Sequence, residues 1–240
     1  MCPRSLFFLL LLLVLAVSPF VPAQTKRRVF IPGQRAIVID ERLSALRAQP
    51  DVKAALDQRL RRGRAVGILG AATTRSGTRF LRVAISRNKR GWVLAEAVAR
   101  LGNAADADRL MALIEETEDD FTKARLARLF ADEFRVTPLA PKSLLVLGAI
   151  AEKAAERLTR DAKRRVGDEE PDKGLSRRDY LLNFNGLDRY NRIGVTFDYD
   201  EASDRIVYDG AAYRELLRRY PKSEEVKAAR ERAEKIKSRL

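Results

Sequence analysis

"RNKRGWVLAEAV", residues 87–98, holds the chain's only tryptophan, set directly after a glycine and close to Arg87, Lys89 and Arg90. The apolar run around Trp92 is short and opens at Gly91, which predicts a strand. Working toward the N-terminus, "RFLRVAIS" (79–86), "RAVGILG" (64–70) and "AIVI" (36–39) are runs of the same kind, with expected turns at Gly63, Gly70 and Ser76-Gly77. In "RFLRVAIS", Phe80, Val83 and Ile85 alternate imperfectly with polar residues, as in strands with one face on a small core. The intervening "RLSALRAQPDVKAALDQRLRRG" (42–63) carries Leu43, Leu46, Val52, Leu56 and Leu60, which are expected to hold a long loop or a short helix against that core. Residues 36–98 therefore predict a small β-barrel.

Order and spacing within this stretch resemble a bacterial SH3 domain. The resemblance rests on "AIVI", on "LSALRAQP" with Leu43, Leu46, Arg47 and Pro50, and on "LRRGRAVGIL" with Leu60 and Gly63. It continues through "GTRFLRVAIS" and closes on Gly91, Trp92 and Val93 of "RGWVLAEAV". Two departures are visible: Leu43 stands one residue too far from Arg47, and Phe80 stands where the family often has tryptophan. The resemblance implies a peptide or peptidoglycan-related ligand. In such a barrel Gly91 permits a close approach at the start of the last strand. Trp92 is then either a ring packed across the barrel end or one wall of a ligand groove.

The charge is focused. Residues 24–100 hold 18 Lys and Arg against 5 Asp and Glu, a net of +13, whereas residues 101–240 hold 28 of each sign. Such asymmetry points the front of the chain toward an anionic partner. The candidate ligand-binding residues are Trp92 with Arg61, Arg62, Arg64, Arg87, Lys89 and Arg90.

Residues 1–23 read as a secretory signal peptide. Arg4 precedes an apolar run from Leu6 to Val17, too short to span a bilayer, and Val21 and Ala23 satisfy the small-residue cleavage rule. Cleavage after Ala23 is expected, leaving no membrane span; an uncleaved anchor is the alternative. Cleavage would also remove Cys2, the only cysteine, so the exported chain forms no disulfide. Histidine is absent, which excludes histidine-based triads and Cys/His zinc sites.

Beyond residue 100 the apolar period lengthens to three and four. Residues 105–116, 121–134 and 142–165 predict amphipathic helices, the first capped by Asn103, with "VTPLAP" (136–141) breaking the chain between the second and third. "GDEEPDKGLSRR" (167–178) reads as an exposed linker, and 179–210 as an ordered, aromatic-rich connecting segment. At the end, Tyr213, Leu216, Leu217 and Tyr220 mark one helix, Pro221 ends it, and Ser223 is the expected cap of another. This pair, within 211–238, resembles a single tetratricopeptide repeat, which cannot bury a core alone and must pack on the preceding helices.

Carboxylate chemistry is weakly suggested. Glu115 and Asp119 in "EETEDD" are expected on one helix face, and Asp198, Asp200 and Asp204 in "DYDEASD" faintly suggest a calcium loop that lacks its central glycine. A solvated acidic helix end is the plainer reading of the first.

The fold expected is α+β and multidomain, a small SH3-like β-barrel followed by an all-helical, tetratricopeptide-like domain. The function expected is that of an exported, non-enzymatic binding or adaptor protein of the periplasm or cell envelope, with no cofactor and no metal. Its expected partners are an anionic cell-envelope component or peptide and, through the helical half, another envelope protein; export argues against nucleic acid. The alternatives are a structural assembly factor whose barrel docks on its own helices and, more remotely, a carboxylate-dependent hydrolase.

Overall fold

In the computed structural model, which describes residues 34–168, 176–183 and 185–238, strand β1 (Arg35–Val38) leads into four consecutive buried apolar residues, Ala36 to Ile39. Successive strand side chains point to opposite faces, so a run that is apolar throughout must be covered on both. Ala36 and Val38 enter a small core with Leu46, Val66, Val83 and Val93. Ile37 and Ile39 join Ala99 in a larger core built by the helices.

The remaining strands are β2 (Ala45–Arg47), β3 (Leu56–Arg59), β4 (Ala65–Thr73), β5 (Arg79–Ala84), β6 (Arg90–Leu94) and β7 (Val98–Arg100), with a 3-10 turn at Ala95–Ala97. They form one antiparallel sheet in the order β3-β2-β6-β5-β4-β1-β7. The protein is α+β, but the sheet is not the closed barrel expected: β3 and β7 end it, and no ladder joins them. Residues from six of the seven strands still meet in one small core, so the sheet bends around it.

Two further expectations are corrected. Residues 42–63 form the β2–β3 hairpin in place of a loop or helix; it buries Leu46 and Leu60 but leaves Val52, in its turn, and Leu56, on the edge strand β3, exposed. Gly63 and Gly77 do turn the chain, at φ +80° and +84°, whereas Gly70 lies within β4 beside a break in register with β5. Gly91 behaves as expected: a Cβ there would come within 2.8 Å of the Arg47 carbonyl and of Leu46, so β2 can approach β6 only over a glycine. Gly91→Ala is expected to destabilise the fold by about 2 kcal/mol through overpacking, measured by urea unfolding.

The helices are α1 (Ala104–Glu116), α2 (Asp120–Glu133), α3 (Ala140–Asp168), α4 (Arg177–Leu182), α5 (Asn185–Asn191), α6 (Ala211–Arg219) and α7 (Val226–Lys237). Asn103 caps α1 by accepting from the Asp106 N–H. Helix α3 has 29 residues and carries Leu144, Leu147, Ala151, Ala154 and Leu158 into the larger core. Of the expected linker, 167–168 end α3 and 177–178 begin α4, while 169–175 lie outside the described residues, as does segment 1–23, where a signal peptide is expected. Among the described residues no helix is long and apolar enough to cross a membrane.

The aromatic segment resolves into α4, α5 and a hairpin of β8 (Phe197–Asp200) and β9 (Arg205–Tyr208). Phe121, Tyr190, Phe197, Tyr208 and Tyr213 form an unbroken series of edge-to-face contacts, with ring centroids 5.2 to 6.2 Å apart. That series ties α2, α5, the hairpin and α6 together, each contact adding about 0.5–1.5 kcal/mol to the area buried. Helices α6 and α7 pack on the same core through Tyr213, Leu216, Ala229 and Ile236. Ser223 does not cap α7, which begins three residues later at Val226 after a turn; the Ser223 carbonyl accepts from the Val226 N–H instead.

Sheet and helices are joined at Asp106. Its carboxylate accepts from the Arg100 N–H at 2.9 Å, from Arg100 Nε at 2.6 Å and from Arg109 Nη2 at 3.3 Å. Arg109 also donates to the carbonyls of Glu96 and Val98. Burial alone would raise the carboxyl pKa; the hydrogen bonds from Arg100 and the charges of both arginines outweigh it and hold the value below the usual range. The unfolded state therefore binds the proton more readily, so this contribution is present above about pH 4 and is lost as pH falls through the lower folded-state value. Asp106→Asn is expected to lower stability at pH 7 by about 2 kcal/mol, since the two arginines are partly solvated, and to flatten the decline toward pH 3, both read from urea midpoints.

Candidate functional site

Trp92 lies at the centre of the front sheet's outward face. Its neighbours on β6, Gly91 and Val93, are buried, while Trp92 is half-buried and points the other way. Its register partners are Arg47 on β2 and Arg82 on β5. Directly opposed residues share a face with Cβ atoms about 5 Å apart, and Arg90, two residues back on β6, shares it too. The indole is therefore bordered by arginines on three sides. The row continues through Leu56, opposite Arg47, to Gly70, opposite Arg82, where nothing stands within 4 Å of the position a Cβ would take.

Of the six basic residues read from the sequence, Arg64, Arg87, Lys89 and Arg90 gather at the β5–β6 hairpin. Ile85 N–H donates to the Lys89 carbonyl at 3.0 Å, and Arg64 Nη2 reaches the Ile85 carbonyl at 3.1 Å. Lys89 is engaged by Gln58 at 3.0 Å and Asp57 at 3.1 Å. Arg61, Arg87 and Arg90 are exposed.

Arg62 belongs elsewhere. Its Nε donates to the Ile39 carbonyl at 3.0 Å and its N–H to Glu41 at 2.8 Å. Burial and the charge of Arg125 draw its guanidinium pKa below the usual value. It ties the turn at Gly63 to the end of β1, an anchoring role in place of the ligand-facing one expected.

Sequence reasoning misses Arg47, Arg82 and Arg79. Arg82 interrupts the apolar run of β5, a visible signal, but its partnership with Trp92 depends on register. Equally hidden is a cleft of about 630 Å³ bounded by Val52 of the β2–β3 hairpin, Ser76 and Thr78 of the β4–β5 turn, and Glu96 of the 3-10 turn. Arg79 enters it from β5, and the Arg100–Asp106–Arg109 cluster forms one wall. Cleft and basic hairpin lie at opposite ends of β5, about 20 Å apart at 3.3 Å per residue.

The acidic candidates separate. Glu115 lies in the last turn of α1 and pairs with Lys142 at 2.6 Å, whereas Asp119 caps α2 by accepting from the Thr122 N–H at 2.7 Å. The chain breaks between them at Thr117, so they do not share a helix face. Asp198 pairs with Arg178, Asp200 accepts from Ala202 N–H and Ser203 Oγ, and Asp204 is held by Arg177, Lys163 and Tyr199. Each carboxylate serves the hairpin or its neighbours, and the Arg177 hydrogen bond with the adjoining donors keeps Asp204 well below the usual carboxylate range.

The chain matches no protein-family model, no curated protein and no solved structure. Its site is therefore argued from geometry alone. Arg62→Ala is expected to lower stability by about 1–2 kcal/mol by removing the guanidinium bond to the Ile39 carbonyl from a partly buried seam, whereas Arg61→Ala stays within about 0.5 kcal/mol of the parent; thermal unfolding of the two variants side by side checks this.

Proposed function

We propose that the protein is an exported, non-enzymatic binding or adaptor protein of the bacterial cell envelope. Its front sheet acts as an SH3-like module for an anionic, cell-wall-related ligand, and its terminal helical pair, tetratricopeptide-like, contacts another protein. The observation that carries this reading is the placement of Trp92 beside the exposed Arg82 and Arg90, with Arg47, whose Nη1 donates to the Ala54 carbonyl at 2.6 Å, on its other side. Guanidinium groups pair bidentately with carboxylate or phosphate, and an indole offers a stacking face, so together they suit an anionic ligand with a ring or sugar. The gathered Arg64, Arg87 and Arg90 extend the same positive field.

One observation favours a second reading, an assembly factor whose sheet serves to dock on its own helices: Ile37, Ile39, Ala99 and Asp106 make that docking extensive. The two readings differ in what the outward face does. Residues 24–240 are expected to sediment with purified peptidoglycan sacculi at about 50 mM salt and to be released toward about 200 mM, as contacts between exposed charges are screened. Arg82→Glu with Arg90→Glu is expected to weaken retention at least about tenfold, roughly 1.4 kcal/mol, with thermal unfolding unchanged. Retention that ignores both salt and charge reversal, or no retention at low salt, would leave the assembly reading in its place.

A further inference from the structure

A groove of about 540 Å³ runs between α3, β9 and the end of α7. Its α3 wall extends from Glu152 to Lys163, about 17 Å at 1.5 Å per residue. Ala155, Ile206 and Ile236, all apolar, line it. The volume falls in the range of small-molecule sites, about 300–1,000 Å³.

Strand β9 pairs with β8 on one edge only, and Thr159 of α3 meets it at Ile206. Thr159 Oγ1 accepts from the Ile206 N–H at 3.0 Å and lies 3.2 Å from the Ile206 carbonyl and 2.8 Å from that of Ala155, either of which can take its proton. A helix hydroxyl thus fills the place that a neighbouring strand's peptide group would take. Main-chain pairing gives an added strand its affinity, so this plug disfavours an extended peptide as occupant.

The charges around the groove are unevenly committed. Glu152 is held by Tyr213 Oη at 2.6 Å and Arg232 at 3.2 Å, and Lys163 by Asp204 at 2.9 Å. Arg160 and Arg205, the sequence neighbours of the bonded Thr159 and Ile206, are both exposed, and among the described residues neither forms an ion pair. Two uncommitted guanidiniums therefore stand beside a groove with an apolar floor and charged walls.

We propose that this groove binds a small amphipathic anion, its acyl chain lying along Ala155, Ile206 and Ile236 and its carboxylate or phosphate head held by Arg160 and Arg205. Glu156, one turn before Arg160 on the same wall, repels the head from that end and sets the ligand's direction. This site is separate from the outward face of the front sheet and does not depend on it.

The test is calorimetric titration of residues 24–240 with laurate, dodecyl phosphate and dodecanol, each below its aggregation limit. One saturable site is expected for the two anions, and at least about tenfold weaker binding for dodecanol. Arg160→Glu with Arg205→Glu is expected to weaken the anions at least about tenfold, whereas Arg82→Glu with Arg90→Glu leaves them unchanged. Preference for one anion over the other identifies the head group. Absence of saturable binding, equal binding of dodecanol, or indifference to the Arg160/Arg205 reversal would each overturn the proposal; as both arginines are exposed, an unchanged melting curve separates lost binding from lost fold.

Discussion

The structure depends on β1 having no polar face. Because Ala36 and Val38 point one way and Ile37 and Ile39 the other, the same four residues close the sheet's own core and form one wall of the helical core. Separating the halves would expose Ile37, Ile39 and Ala99 together, and each large aliphatic side chain brought into water costs about 1.5–3 kcal/mol. The Asp106 cluster adds direction to that apolar contact, since its hydrogen bonds fix where α1 leaves the sheet. Position 100 thus marks a change of secondary structure within one packed body of the described residues.

Helix α3 is the second organising element. It meets α2 along one side, α6 and β9 along others, and supplies more buried apolar residues to the larger core than any other element. Gly148 leaves room for the Tyr213 ring, and Thr159 receives the backbone of β9. In the front sheet, by contrast, Arg62 and Arg100 anchor the scaffold, while Arg82, Arg87 and Arg90 stay exposed on the outward face and at a hairpin end.

What is legible in the sequence follows from which signals are local. The short apolar runs and the change of period near residue 100 mark the strands and the three long helices. Gly91 is legible too, because a glycine directly before a large aromatic in a strand marks a point where another chain segment comes close. "AIVI" reads as a strand, but its lack of alternation carries a second message, burial on both faces, that a count of apolar residues passes over. The β2–β3 hairpin is hidden because its strands are only three and four residues long, with Val52 and Leu56 apolar yet exposed. For the candidate site, net charge points to the front sheet, but register sets Arg82 opposite Trp92 while Arg62 reaches the Ile39 carbonyl. Which arginine borders Trp92 and which reaches a buried carbonyl is decided by pairing across strands distant in sequence, a relation that composition does not carry.

Two docking points on α3, Gly148 and Thr159, stand eleven residues apart, very near three whole turns at 3.6 residues per turn. They are therefore almost in phase on the helix surface, which is why one helix can receive the ring of Tyr213 and the edge of β9 on neighbouring tracks. Inserting or deleting a single residue between them would rotate one point about 100° from the other, although no contact at either point had been altered. The segment 148–159 thus works as a gauge whose length is under stricter constraint than most of its side chains, and change in this part of the molecule is confined to substitution.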